Sequence, residues 1–234
     1  MVQAPHRTTV RGPTFVRLLA RLADAEAPPS SPSLPDRLSQ WLDWTHAVAL
    51  STALDGKLPA ADGDAPAFDG DAPGECARVR AALAAAIARG ESAGTSRGGQ
   101  AAVAHDGNGE STDYAPFRQH YLAMQRAMQA ATGDLRGRLR EQLARRSPAQ
   151  ARLAELDAAM ERLLSPREQA LLAGVPTVLG ERFERLRQAA PPAPGAASGA
   201  WLDVFRRDLQ AALLAELDVR FQPVEALLAA LRPR

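Results

Sequence analysis

Apolar residues recur at steps of three and four along most of the chain, which is the spacing of an amphipathic α-helix. No stretch alternates apolar and polar residues as a strand with one buried face does. The sequence therefore predicts an all-α protein, a helical bundle with long amphipathic, coiled-coil-like helices.

The longest periodic run lies in the middle of the chain and has steps close to those of a heptad seam. Its apolar members are Phe117, Tyr121, Met124, Met128, Ala131, Leu135 and Leu139. Gly133 and Gly137 lie inside this run, and we expect them to bend the helix. The pattern predicts one long helix that packs through a single apolar face.

Two similar signals predict helix starts after this run. Ser147-Pro148 and Ser165-Pro166 each place a serine at the N-cap and a proline at the first helical position, with Gln150 or Glu168 completing a capping box. A further break is expected between Gly174 and Pro176, because both residues weaken a helix.

Composition divides the chain into seven segments. We predict an N-terminal helical pair (1–54), an acidic linker (55–74), a short helix (75–90), a Gly/Ser-rich loop (91–112), a main helical block (113–187), a Pro/Ala linker (188–199) and C-terminal helices (200–234) that Pro223 interrupts. The linker 55–74 and the loop 91–112 are expected to be two disordered loops, because such polar segments bury too little apolar surface to offset the entropy of ordering.

The N-terminal half contains two further patterns, a repeated aspartate motif and an apolar helix face. Asp-Gly-Asp-Ala-Pro occurs at 62–66 and again at 69–73, which resembles part of a calcium loop but lacks the closing glutamate of an EF-hand, so a solvated linker is preferred. The second N-terminal helix is expected to bury a face formed by Leu38, Trp41, Leu42, Thr45, Val48 and Ala49.

The richest apolar stripe lies in the C-terminal segment. It repeats every four residues and consists of Trp201, Phe205, Leu209, Leu213 and Leu217. A stripe of this size must be covered, since exposed apolar patches promote aggregation. The cover is either the chain's own bundle or another protein that receives the helix in a groove. These five residues are therefore the candidate partner-binding residues, with self-association as one form of the contact.

Charge suggests an alternative function. The formal net charge of +1 gives no overall attraction to nucleic acid or membranes. Arginines are nevertheless dense around one segment, and Arg136, Arg140, Arg145 and Arg146 are candidate phosphate-binding residues of a nucleic-acid-associated helical protein. The segment lacks interleaved aromatic residues for base stacking, which favours a solvated helix face.

The sequence contains no recognisable catalytic motif. Asp43 and His46 have the spacing of half a di-iron motif, but the pair occurs once and lacks the further glutamates. His120 beside Tyr121 has no accompanying nucleophile. Cys76, the only cysteine, excludes an intrachain disulfide and a Cys-based zinc site. A helix start can lower the pKa of a thiol, but without a base partner a small semi-buried residue is the preferred interpretation. We expect a non-enzymatic protein with no metal and no cofactor.

Apolar runs in the chain are shorter than the ~20 residues that a membrane span requires. Arg17 and Arg21 interrupt the N-terminal apolar stretch, so it is not expected to be a secretory signal. We expect a cytoplasmic protein without direct membrane insertion, and a single cysteine is consistent with a reducing compartment.

Five segments resemble a known family: residues 11–25, 37–46, 117–122, 133–140 and 215–225. Together they resemble an uncharacterised proteobacterial family, domain of unknown function 3348. The family supplies no established catalytic residues. Its members are encoded beside a flagellar-motor-stator-like membrane protein and an OmpA-like protein, so the resemblance implies a cytosolic partner of an envelope complex. The leading hypothesis is a helical adaptor or scaffold that mediates protein–protein interaction.

Overall fold

The computed structural model describes residues 14–24, 44–55, 71–96, 113–190 and 199–232. These residues form helices and no strand, which confirms the all-α prediction. The seven helices within these ranges are α1 (Thr14–Ala23), α2 (Trp44–Asp55), α3 (Ala72–Ser96), α4 (Ala115–Arg146), α5 (Pro148–Leu172), α6 (Val175–Ala189) and α7 (Ala200–Leu231). Most of the two predicted loops and of the Pro/Ala linker lies outside the described residues.

Helices α4 and α7 form the central pair of the bundle. Each has 32 residues and is therefore roughly 48 Å long. They run parallel, because Tyr121 bonds Glu216 towards one end and Arg146 bonds the carbonyl of Leu231 at the other. Helix α3 lies antiparallel to α4, with Glu75 paired to Arg138.

Helices α5 and α6 together form the fourth rod, antiparallel to α4 and α7. Helix α5 packs along the C-terminal half of the central pair, where Glu168 pairs with Arg220. Helix α6 packs along the N-terminal half, where Arg182 pairs with Asp208. The rod is interrupted between Leu172 and Val175, as the sequence predicted. Outside this four-rod bundle, α1 packs on α6 and α7, and α2 packs on α5.

The core lies between the four rods and is filled by aromatic and aliphatic side chains. Its largest fully buried members are Tyr121, Phe183, Phe205, Phe221, Leu22, Ile87, Met128, Leu135, Leu139, Leu143, Leu179 and Leu213. The predicted seam of α4 is confirmed, since Tyr121, Met124, Met128, Leu135 and Leu139 are all buried. Burial of each such side chain stabilises the fold by about 1.5–3 kcal/mol.

One predicted helix start is confirmed and the other is wrong. The Ser147 hydroxyl accepts a hydrogen bond from the Gln150 amide at 3.2 Å and caps α5. Ser165-Pro166 starts no helix, because α5 continues through it from Pro148 to Leu172. A proline removes one backbone bond, and packing of α5 along its whole length against the bundle compensates for that loss.

The predicted interruption of the C-terminal helices at Pro223 is also wrong. Helix α7 is continuous from Ala200 to Leu231, with Pro223 inside it. Because proline has no N–H, Pro166 and Pro223 leave the carbonyls of Arg162 and Val219 without their usual helical donors. Gly133 and Gly137 likewise lie inside the uninterrupted α4.

The boundaries of α3 differ from the predicted 75–90 at both ends. The helix begins earlier because the Asp71 carboxylate, the last aspartate of the repeated motif, accepts a hydrogen bond from the Gly74 amide at 2.9 Å. It continues through Gly90 to Ser96. Gly90 is therefore not a C-cap. Its missing side chain makes room for the ring of His120, which a Cβ at this position would overlap.

Helix α2 buries a different face from the one predicted. Thr45, Val48 and Ala49 are exposed, and Leu38, Trp41 and Leu42 lie outside the described residues. The half-buried positions are His46, Leu50 and Ala53. The reason is that the N-terminal helices do not pack as an isolated pair: α1 contacts α6 and α7, whereas α2 contacts α5.

Replacing Ser147 with Ala is expected to lower the free energy of unfolding by about 0.5–2 kcal/mol, because the Gln150 amide loses its cap. The matched change Ser165→Ala is expected to have no such cost, since Ser165 lies inside α5 and alanine is the better helix former. Urea unfolding followed by circular dichroism measures both. Equal losses in the two variants would show that both serines cap helices.

Candidate functional site

The C-terminal stripe is covered by the chain's own bundle. Phe205, Leu209, Leu213 and Leu217 are buried in the core, and Trp201 is half-buried. The Trp201 ring packs on Phe183 of α6 with centroids 5.1 Å apart. In this fold the four buried residues face the chain's own core, which is the self-packing arrangement that the sequence analysis weighed against partner binding.

The candidate phosphate-binding arginines do not form one open basic face. Arg136 and Arg140 both pair with Asp157 and Glu161 of α5. These two arginines are therefore already engaged in ion pairs with acidic side chains. Arg146 donates to the carbonyl of Leu231, and Arg145 is exposed. The antiparallel packing of α4 and α5 explains the difference, because it brings the acidic residues of α5 against the arginines of α4.

A buried polar network lies at the centre of the bundle. The Glu216 carboxylate has no exposed surface and accepts hydrogen bonds from the hydroxyl of Tyr121 (2.7 Å) and the amide of Gln125 (3.1 Å). Its second oxygen accepts from Nε of Arg220 at 2.9 Å. Arg220 then reaches Glu168 on α5 at 3.0 Å. The network thus joins α4, α5 and α7 through one carboxylate.

This network also closes the end of α5. The Gln125 amide donates to the carbonyl of Leu172 at 3.1 Å, which is one of the helix-end carbonyls without an intrahelical partner. Burial, and then the charge of Glu216, raise the pKa of Tyr121. The phenol therefore stays protonated and continues to donate to Glu216 at neutral pH.

A polar cleft adjoins the network between α4, α5 and α7. It has a volume of about 210 Å³, and its walls carry Arg136, Glu161, Ser165, Glu168, Arg220 and Pro223. Gln129 and Gln169 also line the cleft and are exposed. Gly133 forms part of the α4 wall, and a Cβ placed on it would meet no atom within 4 Å. The cleft exists because α4 carries no side chain at this position.

The residues considered for acid–base or thiol chemistry are not brought together. The Tyr121 hydroxyl is bonded to Glu216, whereas the ring of His120 lies against Gly90 on α3. Burial lowers the pKa of His120. Burial, and then the carboxylate of Glu75, raise the pKa of Cys76. Cys76 is thus a buried residue and not an activated thiol, because α3 begins at Ala72 and places the thiol in its second turn, inside the core.

The described residues form neither a metal-binding cluster nor a membrane-spanning helix. No cluster of three or more His, Cys, Asp and Glu side chains there has an arrangement that could hold a metal ion, and Asp43 lies outside the ranges described. Among the seven helices, none combines the length and apolar character needed to cross a membrane.

Helices α2 and α5 carry most of the exposed apolar surface. Within the ranges described, five of the six exposed large apolar side chains belong to them: Trp44, Val48, Leu54, Leu153 and Leu171. Trp44 is 83% exposed. We call Trp44 and Val48, which lie one turn apart, the outer face of α2. They lie opposite His46, Leu50 and Ala53, the side that packs on α5, whereas Leu54 follows Leu50 by one turn at the edge of that side.

Sequence reasoning missed both the cleft and the outer face of α2. Glu168 and Ser165 were interpreted as a capping box, and Pro223 as a helix end. The missed signal was that Gly133, Pro166 and Pro223, which all weaken helices, lie in three helices that nevertheless continue. The outer face was missed because Val48 was assigned to the buried side.

Comparison with known families supports the resemblance inferred from the sequence. The family model described as "Protein of unknown function (DUF3348)" matches residues 1–233. No curated protein and no solved structure matches the chain.

Replacing Glu216 with Ala is expected to lower the free energy of unfolding by about 3–5 kcal/mol, because the buried Arg220 would keep only Glu168, and Tyr121 would lose its acceptor. The matched change Glu225→Ala on the same helix removes an exposed partner of Arg80 and should cost about 0–1 kcal/mol. Chemical denaturation measures both values. A small effect of Glu216→Ala would contradict the structural role of the network.

Cys76 is expected to react slowly with iodoacetamide in the native protein. Its raised pKa lowers the thiolate fraction at any given pH, and burial restricts access. The alkylation rate should therefore rise at higher pH than for an ordinary thiol, and urea should restore the ordinary profile. Mass spectrometry of the alkylated protein follows the rate. A native rate equal to that in urea would show that the thiol is accessible.

Proposed function

We propose a non-enzymatic scaffold function for this chain, which belongs to the DUF3348 family of proteins of unknown function. In this proposal the protein binds another protein through the outer face of α2, beside α5. The observation that carries the proposal is that α2 is apolar on two opposite faces, of which only one is packed.

The geometry of α2 supports contact between its outer face and another protein. Leu50 and Ala53 are half-buried against α5, whereas Trp44 and Val48 project from the opposite side. An amphipathic surface helix normally has one apolar face directed to the core and a polar face in water. A helix that is apolar on both sides requires a contact on each, and an exposed tryptophan is typical of interface anchors.

Charge on α5 indicates the chemistry of the partner. The acidic residues Asp157 and Glu161 point inward to the arginines of α4. The exposed charged residues of α5 are all arginines: Arg152, Arg162 and Arg167. A complementary partner is therefore an amphipathic helix whose apolar stripe is flanked by acidic residues, because opposite charges at a rim steer association and set its register.

The cellular setting of this proposal comes from the sequence resemblance. A cytoplasmic scaffold with an exposed apolar helix is compatible with a partner of an envelope complex of the motor-stator-like and OmpA-like kind, which would present a cytosolic acidic helix. The nucleic-acid alternative is not carried further, because Arg136 and Arg140 are engaged with Asp157 and Glu161.

Val48→Asp is expected to abolish binding of a designed helical peptide that carries a leucine stripe flanked by glutamates, because it places a charge in the apolar contact. Fluorescence anisotropy of the labelled peptide measures the affinity. Val16→Asp on α1 is the matched control, since Val16 is 47% exposed and Val48 is 46% exposed. The control should bind like the unmodified protein, and both variants should keep its melting temperature.

Two results would contradict the proposal. One is equal loss of binding in both variants, and the other is equal affinity for a peptide whose glutamates are replaced by lysines. Affinity purification from the native host then extends the test, and a true partner must be captured by Val16→Asp and lost by Val48→Asp.

A further inference from the structure

The cleft between α4, α5 and α7 combines three local irregularities at one place. Gly133 removes a side chain from α4, Pro223 lies within α7, and Ser165 precedes the proline inside α5. A proline in a helix interior costs roughly 3 kcal/mol or more, and glycine also weakens a helix. Packing alone would favour ordinary helix formers at these positions. Natural sequences break such local rules mainly at functional or strained sites.

The arginines of the cleft keep hydrogen-bonding capacity. Arg220 is only 6% exposed, and three of its N–H groups bond Glu216 and Glu168. Arg136 similarly uses three N–H groups on Asp157 and Glu161. A guanidinium has five N–H groups, so each arginine retains two that engage no acceptor within the described part of the chain.

The carboxylates of the cleft provide hydrogen-bond acceptors, in contrast to the donors of the arginines. Glu168 accepts from Arg220 through Oε1, and its Oε2 has no protein donor in the residues that the structure describes. Its side chain is partly exposed. The cleft lining thus balances two arginines with two glutamates and offers both unused donors and an unused acceptor. A simple anion or a simple cation would satisfy only half of these groups.

From this balance we infer that the cleft binds a small zwitterion that carries one carboxylate and one ammonium group. The carboxylate accepts from the unused N–H groups of Arg136 and Arg220, and the ammonium donates to Glu168. A volume of about 210 Å³ exceeds what one ordered water needs and suits a small organic molecule. This site lies inside the bundle and is independent of the protein-binding function proposed for α2.

The test uses the full chain with two zwitterionic probes, L-alanine and 5-aminopentanoate, which differ in the separation of their charges. Saturation-transfer NMR and isothermal titration calorimetry measure binding. At least one probe is expected to bind. Pentanoate and 1-aminopentane, which each retain one charge of 5-aminopentanoate, are the matched half-ligands. They should bind about tenfold more weakly than the bound zwitterion or not at all, because each forfeits a charged hydrogen bond.

Substitutions in and near the cleft test whether the probes bind there. Gly133→Leu should abolish it by filling the cleft. Gly137→Leu is the control, because Gly137 lies one turn further along α4, outside the lining, and its Cβ would also meet no atom within 4 Å. Glu168→Gln should weaken binding of 5-aminopentanoate and remove its advantage over pentanoate, because the ammonium loses its carboxylate acceptor.

The inference is overturned if neither zwitterion binds, if pentanoate or 1-aminopentane binds as tightly as the zwitterion, or if Gly133→Leu and Gly137→Leu affect binding equally. Circular dichroism and melting temperature verify that both variants fold. If Gly133→Leu fails to fold, the smaller Gly133→Ala is compared with Gly137→Ala. The zwitterion must then bind more weakly to Gly133→Ala alone.

Discussion

The bundle depends on the buried carboxylate of Glu216. A charge removed from water is costly unless its lone pairs are filled, and here Tyr121, Gln125 and Arg220 supply donors from two helices. Because Gln125 also bonds the carbonyl of Leu172, the same network fixes where α5 ends. One interaction therefore sets the relative position of α4, α7 and the α5–α6 rod.

Local sequence signals predicted the features that depend only on residues close together in the chain. Helix class, the apolar seam of α4 and the cap at Ser147 follow from periodicity and from a serine three residues before an amide that lacks a helical partner. The Ser165-Pro166 signal has the same local chemistry and failed, because the choice between a new helix and a continued one depends on what α5 packs against. That information lies in α4 and α7.

The candidate sites were less predictable than the fold for a similar reason. The buried stripe of α7 and an exposed docking stripe have the same periodicity, and only the packing of α4 and α6 against Phe205 distinguishes them. Likewise, a row of arginines on α4 resembles a phosphate-binding face until Asp157 and Glu161 approach from α5. Periodicity identifies which residues share a face of one helix. It does not identify which neighbouring helix packs against that face.

Both proposed binding sites involve helix α5, the cleft on its inner side and the protein-binding face of α2 on its outer side. Its inner side places Glu161, Ser165 and Glu168 in the cleft, and its outer side supports α2 and exposes arginines. It also contains a proline in mid-helix and ends where Gln125 closes its last turn. A sequence selected only for helix stability has no need of Pro166, since leucine or alanine would extend the helix better. Local rules are broken here without ending the helix, and natural sequences retain such violations mainly where a function uses them.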